Sequence, residues 1–190
     1  FDELTGLPNR SLFMERLDRR LRATEPEEAR AAVCYLDLDR FMRINETFGY
    51  AAGDTLIRQV GERLSQSLCG SGVVARMGRD EFALYRMLEP HEHETLPAER
   101  LMQCFAAPFT QSGQELYLTP SVGIAIWPEH GGDALSLLRN AESAMFNTKQ
   151  NGRKGYQVYR AEINDGSRRR LALEAALRQA IQREQLRVVY

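Results

Sequence analysis

Two groups of carboxylates have the residue types and spacing for chemistry. Asp37 and Asp39 close the apolar run Ala31-Ala32-Val33-Cys34-Tyr35-Leu36, and Asp80 and Glu81 fall in the polar interval between two extended segments. If the segment bearing Asp80 lies beside the apolar run in a sheet, Asp37 and Asp80 converge. Two carboxylates with a backbone carbonyl form a hard oxygen site suited to Mg²⁺, and such sites usually serve phosphates. An Asp-x-Asp is also common, so the alternative that this pair only ends a strand and caps a helix stays open.

Lys149 and Arg153 are four residues apart, near the end of a helical pattern. On one face they could hold a polyphosphate; alone, they also read as a basic C-terminus complementing the helix dipole. Asn45 and Asp54 have the groups to read a purine edge, the carboxylate accepting from a ring N–H and an amino group. The alternative is a turn Asn and an N-cap Asp. His91, His93 and His130 are scattered among polar residues and read as surface groups, and Trp127 reads as a packing residue.

These groups need a scaffold. Gly6 and Pro8 keep the opening segment out of a helix, and Ser11 is expected to cap a helix with Leu12, Phe13, Leu17 and Leu21 on its apolar stripe. The run Ala31–Asp37 reads as a buried central strand. Phe41–Phe48 is expected to be a short helix closed by Gly49, with Gly53-Asp54 opening the next. Val73–Arg76 and Glu81–Tyr85 read as a β-hairpin with a tight turn at Met77–Asp80. Pro97–Phe105 reads as a helix and Glu115–Ile126 as one strand made irregular by Pro120. Gly131–Gln150 reads as a long helix with Leu135, Leu138, Ala141, Met145 and Phe146 inward, ended by Asn151-Gly152 and followed by a strand, Tyr156–Tyr159. The alternation predicts an α/β (α+β) sandwich: a mixed central sheet of about five strands with one antiparallel hairpin.

Composition narrows the class. The 190 residues carry 25 Lys+Arg against 26 Asp+Glu, a net charge of −1, which argues against a nucleic-acid partner. With 43% hydrophobic and 27% charged residues, the chain can bury a core without staples. Cys34, Cys69 and Cys104 form no CxxC pair, so they are expected to be thiols of a reducing, cytoplasmic compartment. No apolar run has the length of a membrane span, and Phe1–Arg22 lacks the pattern of a signal peptide. The abrupt start and stop read as an excised piece of a longer chain, compatible with a membrane anchor upstream. Six arginines and two glutamates leave residues 168–190 at +4, against −5 for the rest. Asn164-Asp165-Gly166-Ser167 reads as the junction. The expected division is therefore 1–163, then 164–190 as a linker helix and the start of a second domain.

Six ordered motifs resemble the GGDEF domain of diguanylate cyclases. They are Asp2-x-Leu4-Thr5-Gly6-Leu7-Pro8-Asn9-Arg10; Leu36-Asp37-Leu38-Asp39-x-Phe41-x-x-Ile44-Asn45; Gly49-x-x-x-Gly53-Asp54; Arg76-x-Gly78-x-Asp80-Glu81-Phe82; Ser121-x-Gly123-Ile124-Ala125; and Ala141-x-x-Ala144-Met145-x-x-x-Lys149-x-x-Gly152-Arg153. The tail from Leu173 to Tyr190 resembles the opening of an EAL domain, the cyclic-di-GMP phosphodiesterase module. The resemblance implies a palm-like nucleotidyl cyclase fold in which two GTP condense to cyclic di-GMP between paired domains. It implies Mg²⁺ (or Mn²⁺) on Asp37, Asp80 and the Leu38 carbonyl, with Asp80 and Glu81 catalytic. It implies GTP contacts from Phe41, Asn45, Asp54, Gly78, Lys149 and Arg153. The implied partners are GTP, cyclic di-GMP, a second copy of the domain and a following EAL domain.

The signature is altered. Where the family has its second glycine stands Arg79, a bulky cation at a turn that favours φ > 0, expected to crowd the phosphates or the opposing domain. In the alternative it points outward or binds a phosphate itself. Met42 replaces a common phosphate-contacting Lys, a loss on the order of a few kcal/mol. Tyr50 for His and Glu46 for Asp are milder changes. Cys69-Gly70-Ser71-Gly72 stands where the family's product-inhibition motif, Arg-x-x-Asp, would be, so feedback binding there is not expected. The expectation is a degenerate GGDEF domain, weak or inactive as a cyclase, that binds GTP·Mg²⁺ and regulates an adjoining EAL domain. An active cyclase and a purely structural module are the alternatives.

Overall fold

The computed structural model describes residues 1–25, 29–68, 72–111, 113–162, 180, 181 and 185. The chain separates into two compact units, Phe1–Tyr159 and Arg160–Tyr190. The sheet and its covering helices belong to the first unit; the junction at 164–167 and most of the basic tail lie outside the described residues.

Five strands form one mixed sheet in the order β2-β3-β1-β6-β7. They are β1 (Arg30–Leu38), β2 (Gly72–Gly78), β3 (Glu81–Leu88), β6 (Pro120–Trp127) and β7 (Gly155–Val158). The central strand β1 runs antiparallel to β3 and β6, while β6 and β7 are parallel. A separate hairpin joins β4 (Phe109–Gln111) to β5 (Gln114–Leu116). The helices are α1 (Arg10–Arg22), α2 (Phe41–Phe48), α3 (Tyr50–Ser67), α4 (Leu96–Gln103) and α5 (Ala134–Gln150).

A strand covered on both faces needs no polar alternation, which is why β1 reads as an unbroken apolar run. Ala32, Cys34, Leu36 and Leu38 face one core with Leu56, Ile57, Val60 and Leu64 of α3 and Ala98 and Leu101 of α4. Ala31, Val33 and Tyr35 face the other, with Phe13, Leu17 and Leu21 of α1 and Leu137, Leu138, Ala141 and Met145 of α5. The α5 backbone lies directly on β6 at Gly123, where an added Cβ would fall 2.0 Å from the Ala141 carbonyl oxygen. Only glycine permits that approach.

Several element boundaries differ from the sequence expectation. Asn9, not Ser11, caps α1 by accepting from the Leu12 N–H at 3.0 Å. Helix α3 already starts at Tyr50, so Gly53 and Asp54 lie inside it. Glu115–Ile126 is two strands of different sheets, β5 and β6, rather than one. Helix α5 begins at Ala134 because Asp133 and Ser136 form a capping box. Leu135 and Phe146, expected inward, are 54% and 53% exposed, flanking the buried stripe of α5. His130 is half-buried, its Nδ1 accepting from the Ile126 N–H at 3.0 Å, whereas His91 and His93 are exposed. Cys34 is a buried free thiol and Cys104 a half-buried one; Cys69 lies outside the described residues. Among the described residues no helix is long and apolar enough to cross a membrane.

Candidate functional site at the end of the central strand

The C-terminal end of β1 assembles the acidic cluster. Side chains two apart share a strand face, so Tyr35 and Asp37 point to the α1/α5 side. There Lys149, on the last turn of α5, places Nζ 2.5 Å from Asp37 Oδ2. The β1/β3 register sets Glu81 opposite Asp37, and the two-residue turn Arg79-Asp80 closes the hairpin beside them. The Leu38 N–H donates to the Asp80 carbonyl at 3.2 Å, fastening the strand end to the turn. The buried Tyr35 hydroxyl donates to Glu81 Oε2 at 3.0 Å.

Burial makes these charges expensive. Desolvation pushes the Asp37 carboxyl up to about 6; the Lys149 bond opposes the rise, and Asp80 and Glu81 add to it. Burial likewise raises Asp80, with Lys149 and Arg79 opposing and Glu81 reinforcing. Asp37 Oδ1 is buried with no hydrogen-bond partner. An unpartnered carboxylate oxygen is a hard donor of the kind Mg²⁺ or Mn²⁺ takes, although among the described residues no three His, Cys, Asp or Glu side chains are grouped to hold an ion.

The cluster opens into a cavity of about 840 Å³. Asp37, Asp80, Glu81 and Lys149 contribute its charged wall, α2 supplies Phe41 and Asn45, and α3 supplies Asp54 and Ile57. Asn45 packs flat against α3 because residue 53 is glycine: a Cβ there would lie 1.9 Å from Asn45 Oδ1. Met42, Tyr50, Arg76 and Arg79 complete the walls.

Arg79 lines this cavity from an exposed position and adopts φ +23°, the sign of backbone torsion that a glycine there would favour. Its carbonyl accepts from Arg76 Nη2 at 2.7 Å. Arg76 Nη1 also reaches both Asp2 oxygens, at 3.1 and 3.2 Å. Burial alone would raise the Asp2 carboxyl, but bonds from Thr5 and Arg76 outweigh it and hold it below the usual carboxylate range. The opening Asp-x-Leu-Thr segment thus braces the turn through Arg76.

Of the residues expected at the site, Asp37, Phe41, Asn45, Asp54, Asp80, Glu81 and Lys149 meet around one cavity. Leu38 and Gly78 are not among its walls; they position the turn through backbone and register. Arg153 does not join Lys149: the helix ends at Gln150, and Arg153, at φ +62°, lines a different cavity with Arg40 and Lys154. Sequence reasoning missed Tyr35 as a partner of Glu81, although its i, i+2 relation to Asp37 was available. It also passed over the brace formed by Arg76 and Asp2, both present in the motifs but without an assigned role.

Residues 1–155 match the family model described as "Diguanylate cyclase, GGDEF domain". The whole chain is 36% identical to a stretch of the bifunctional diguanylate cyclase/cyclic di-GMP phosphodiesterase MucR of Pseudomonas aeruginosa, covering 28% of that protein. It is 34% identical over 189 residues to the cyclic di-GMP phosphodiesterase PdeR of Escherichia coli, again 28% of its length. The chain therefore spans about a quarter of these curated relatives. The solved GGDEF domain of TpbB (YfiN) from P. aeruginosa superposes with a TM-score of 0.81 at 34% identity, covering 88% of this chain and 98% of that one. The GGDEF domain of DgcB from Caulobacter crescentus, solved with c-di-GMP, gives a TM-score of 0.73 at 26% identity, covering 83% and 94%.

Proposed function

Because the chain belongs to the diguanylate cyclase GGDEF family, we propose that it is a GTP·Mg²⁺-binding domain with impaired cyclase activity that biases an adjoining EAL phosphodiesterase domain. The carrying observation is the convergence of Asp37, Asp80, Lys149, Asn45 and Asp54 on one cavity whose wall includes Arg79. In this reading Asp37 and Asp80 hold the ion, which when bound would neutralise charge on the phosphates. Asn45 and Asp54 read the guanine edge, and Lys149 exchanges its contact with Asp37 for a phosphate. Glu81, steadied by Tyr35, is kept beside the reacting end.

Turnover needs two nucleotides brought together between two domains. The Arg79 side chain stands at the cavity wall, where the signature glycine would leave only backbone. A cation there crowds the facing nucleotide while leaving room for one ligand. Binding then matters to a neighbouring domain to the extent that GTP favours one of its states. The relatives MucR and PdeR carry phosphodiesterase in their names, which supports an EAL neighbour. Calorimetric titration of GTP with Mg²⁺ into this chain tests the reading. Saturable heat at sub-millimolar GTP, lost in Asp54→Ala, is expected; its absence removes the nucleotide-sensor role.

One observation favours the second reading, an active cyclase. The turn at Arg79 has a positive φ, a conformation glycine also takes, and is braced by Arg76. Cyclic di-GMP production abolished by Asp80→Ala would establish that reading.

A further inference from the structure

Strand β6 runs to Trp127, but its parallel pairing with β7 stops at Ile124 and Val158. The last bond of that ladder runs from the Tyr159 N–H to the Ile124 carbonyl at 2.7 Å. In a parallel ladder the next groups on the same edge of β6 belong to Ile126, whose N–H would meet the Tyr159 carbonyl. Residue 130 holds both Ile126 groups instead. The Ile126 N–H donates to His130 Nδ1 at 3.0 Å, and the Ile126 carbonyl accepts from the His130 N–H at 2.6 Å. The Asn140 side chain of α5 donates to the His130 carbonyl at 2.7 Å. The imidazole stands edge-on to the Tyr159 ring, with centroids 5.6 Å apart and planes at 73°. We propose that this imidazole is a proton-sensitive clasp that ends the sheet at Val158 and fixes the point from which the chain leaves it. That point is Tyr159, one residue before the second compact unit begins at Arg160.

The chemistry is that of one lone pair. A neutral imidazole with its proton on Nε2 accepts at Nδ1; the imidazolium donates from both nitrogens and accepts at neither. Adding the proton sets one N–H against the Ile126 N–H, so the clasp opens and Tyr159 loses the ring edge it packs on. The surroundings favour the neutral ring. Burial disfavours the imidazolium most, Glu129 on the same turn and Glu94 before α4 oppose that effect, and Arg30 at the start of β1 adds to it. Together they hold His130 below its ordinary value of 6.5. Arg30 also engages both carboxylates, its Nε 2.9 Å from Glu129 Oε1 and its Nη2 3.3 Å from Glu94 Oε2. Helix α5 presents the uncharged Asn140, and the residue after β7 presents the Tyr159 ring. The clasp stands apart from the nucleotide reading, because Ile126, His130, Asn140 and Tyr159 are not among the walls of the cavity at Asp37.

The test is NMR of this chain between about pH 7.5 and about pH 4.5, following the His130 ring nitrogens, the backbone amides and their hydrogen exchange. The ring is expected to titrate below 6.5, with the Ile126 and Tyr159 amides shifting at the same midpoint. On the acid side, exchange at these two amides, corrected for the pH dependence of the exchange chemistry, should speed by about tenfold, with Val33 of β1 unchanged. His130→Asn keeps an acceptor near the Nδ1 position and takes no proton, so it should protect the Ile126 N–H at every pH and abolish the response. His130→Phe keeps a ring without the acceptor and should behave at neutral pH as the acidified parent does. If the Phe variant loses amide dispersion, the Asn variant decides. A ring that titrates with no matching shift at Ile126 and Tyr159, exchange that stays flat, or an Asn variant that keeps the parent's pH response would overturn the proposal. No nucleotide enters the experiment, so failure of GTP to bind would sink the nucleotide reading and leave this one standing.

Discussion

With Asp37 buried against Lys149, proton and cation compete for the same carboxylate. The unfolded carboxyl titrates near 3.8 and the folded one at about 6. Below the lower value both states are protonated and the group leaves stability unchanged. Between the two, the unfolded chain gives up the proton first, so stability falls as pH rises through that window. A metal requires the ionised form, so the proposed Mg²⁺-dependent GTP affinity should strengthen as pH climbs through about 6. We expect roughly tenfold weaker binding at about pH 5 than at about pH 7, read by calorimetry. Affinity that is flat across this range would exclude Asp37 as the ligand. Tyr35→Phe removes the bond to Glu81 and should cost about 1 kcal/mol, measured as a lowered urea midpoint. At this scale the sequence was legible in where residue types gather: Asp37, Asp80, Asn45, Asp54 and Lys149 line one cavity. Arg153 was misplaced because i, i+4 geometry holds only inside a helix, and α5 stops before it.

Among the elements, pairing decides what pattern alone leaves ambiguous. The strand β1 was readable because burial on both faces leaves no polar interruption, and α2 because Gly49 marks its end. The start of α3 was not, because Gly53 reads as a helix boundary although it is an interior position serving the Asn45 contact. Strands β5 and β6 were merged because residues 117–119 carry no strong breaker before Pro120. Leu135 and Phe146 fit an apolar count but sit beside the stripe that meets the sheet, which tertiary packing alone defines. The tightest element contact yields a clear test. Gly123→Ala drives a methyl into the α5 backbone and should destabilise the domain by about 3 kcal/mol, seen in denaturant melts, with further loss of Lys149 placement. The brace from Asp2 through Arg76 to Arg79 is also checkable. Asp2→Ala should speed hydrogen exchange at Arg79 and Asp80 while leaving β6 protected.

Over the molecule as a whole, the sheet separates two cores and brings the C-terminal end of β1, the β2–β3 turn and α5 to one cavity. That much follows from alternation of strands and helices. In the proposed account turnover of GTP depends on one substitution at the turn, and a side chain's effect on a second, facing domain is not written in one chain's pattern. In the proposed account GTP acts on the neighbouring phosphodiesterase. Adding GTP should therefore change cyclic di-GMP hydrolysis by the longer protein, and Asp54→Ala should abolish that response. The most direct measurement is chromatography of the products formed from GTP·Mg²⁺ by the longer protein and by its Arg79→Gly variant. Little cyclic di-GMP from the parent and at least about tenfold more from the variant is the predicted result. Abundant product from the parent, unchanged on substitution, would contradict it.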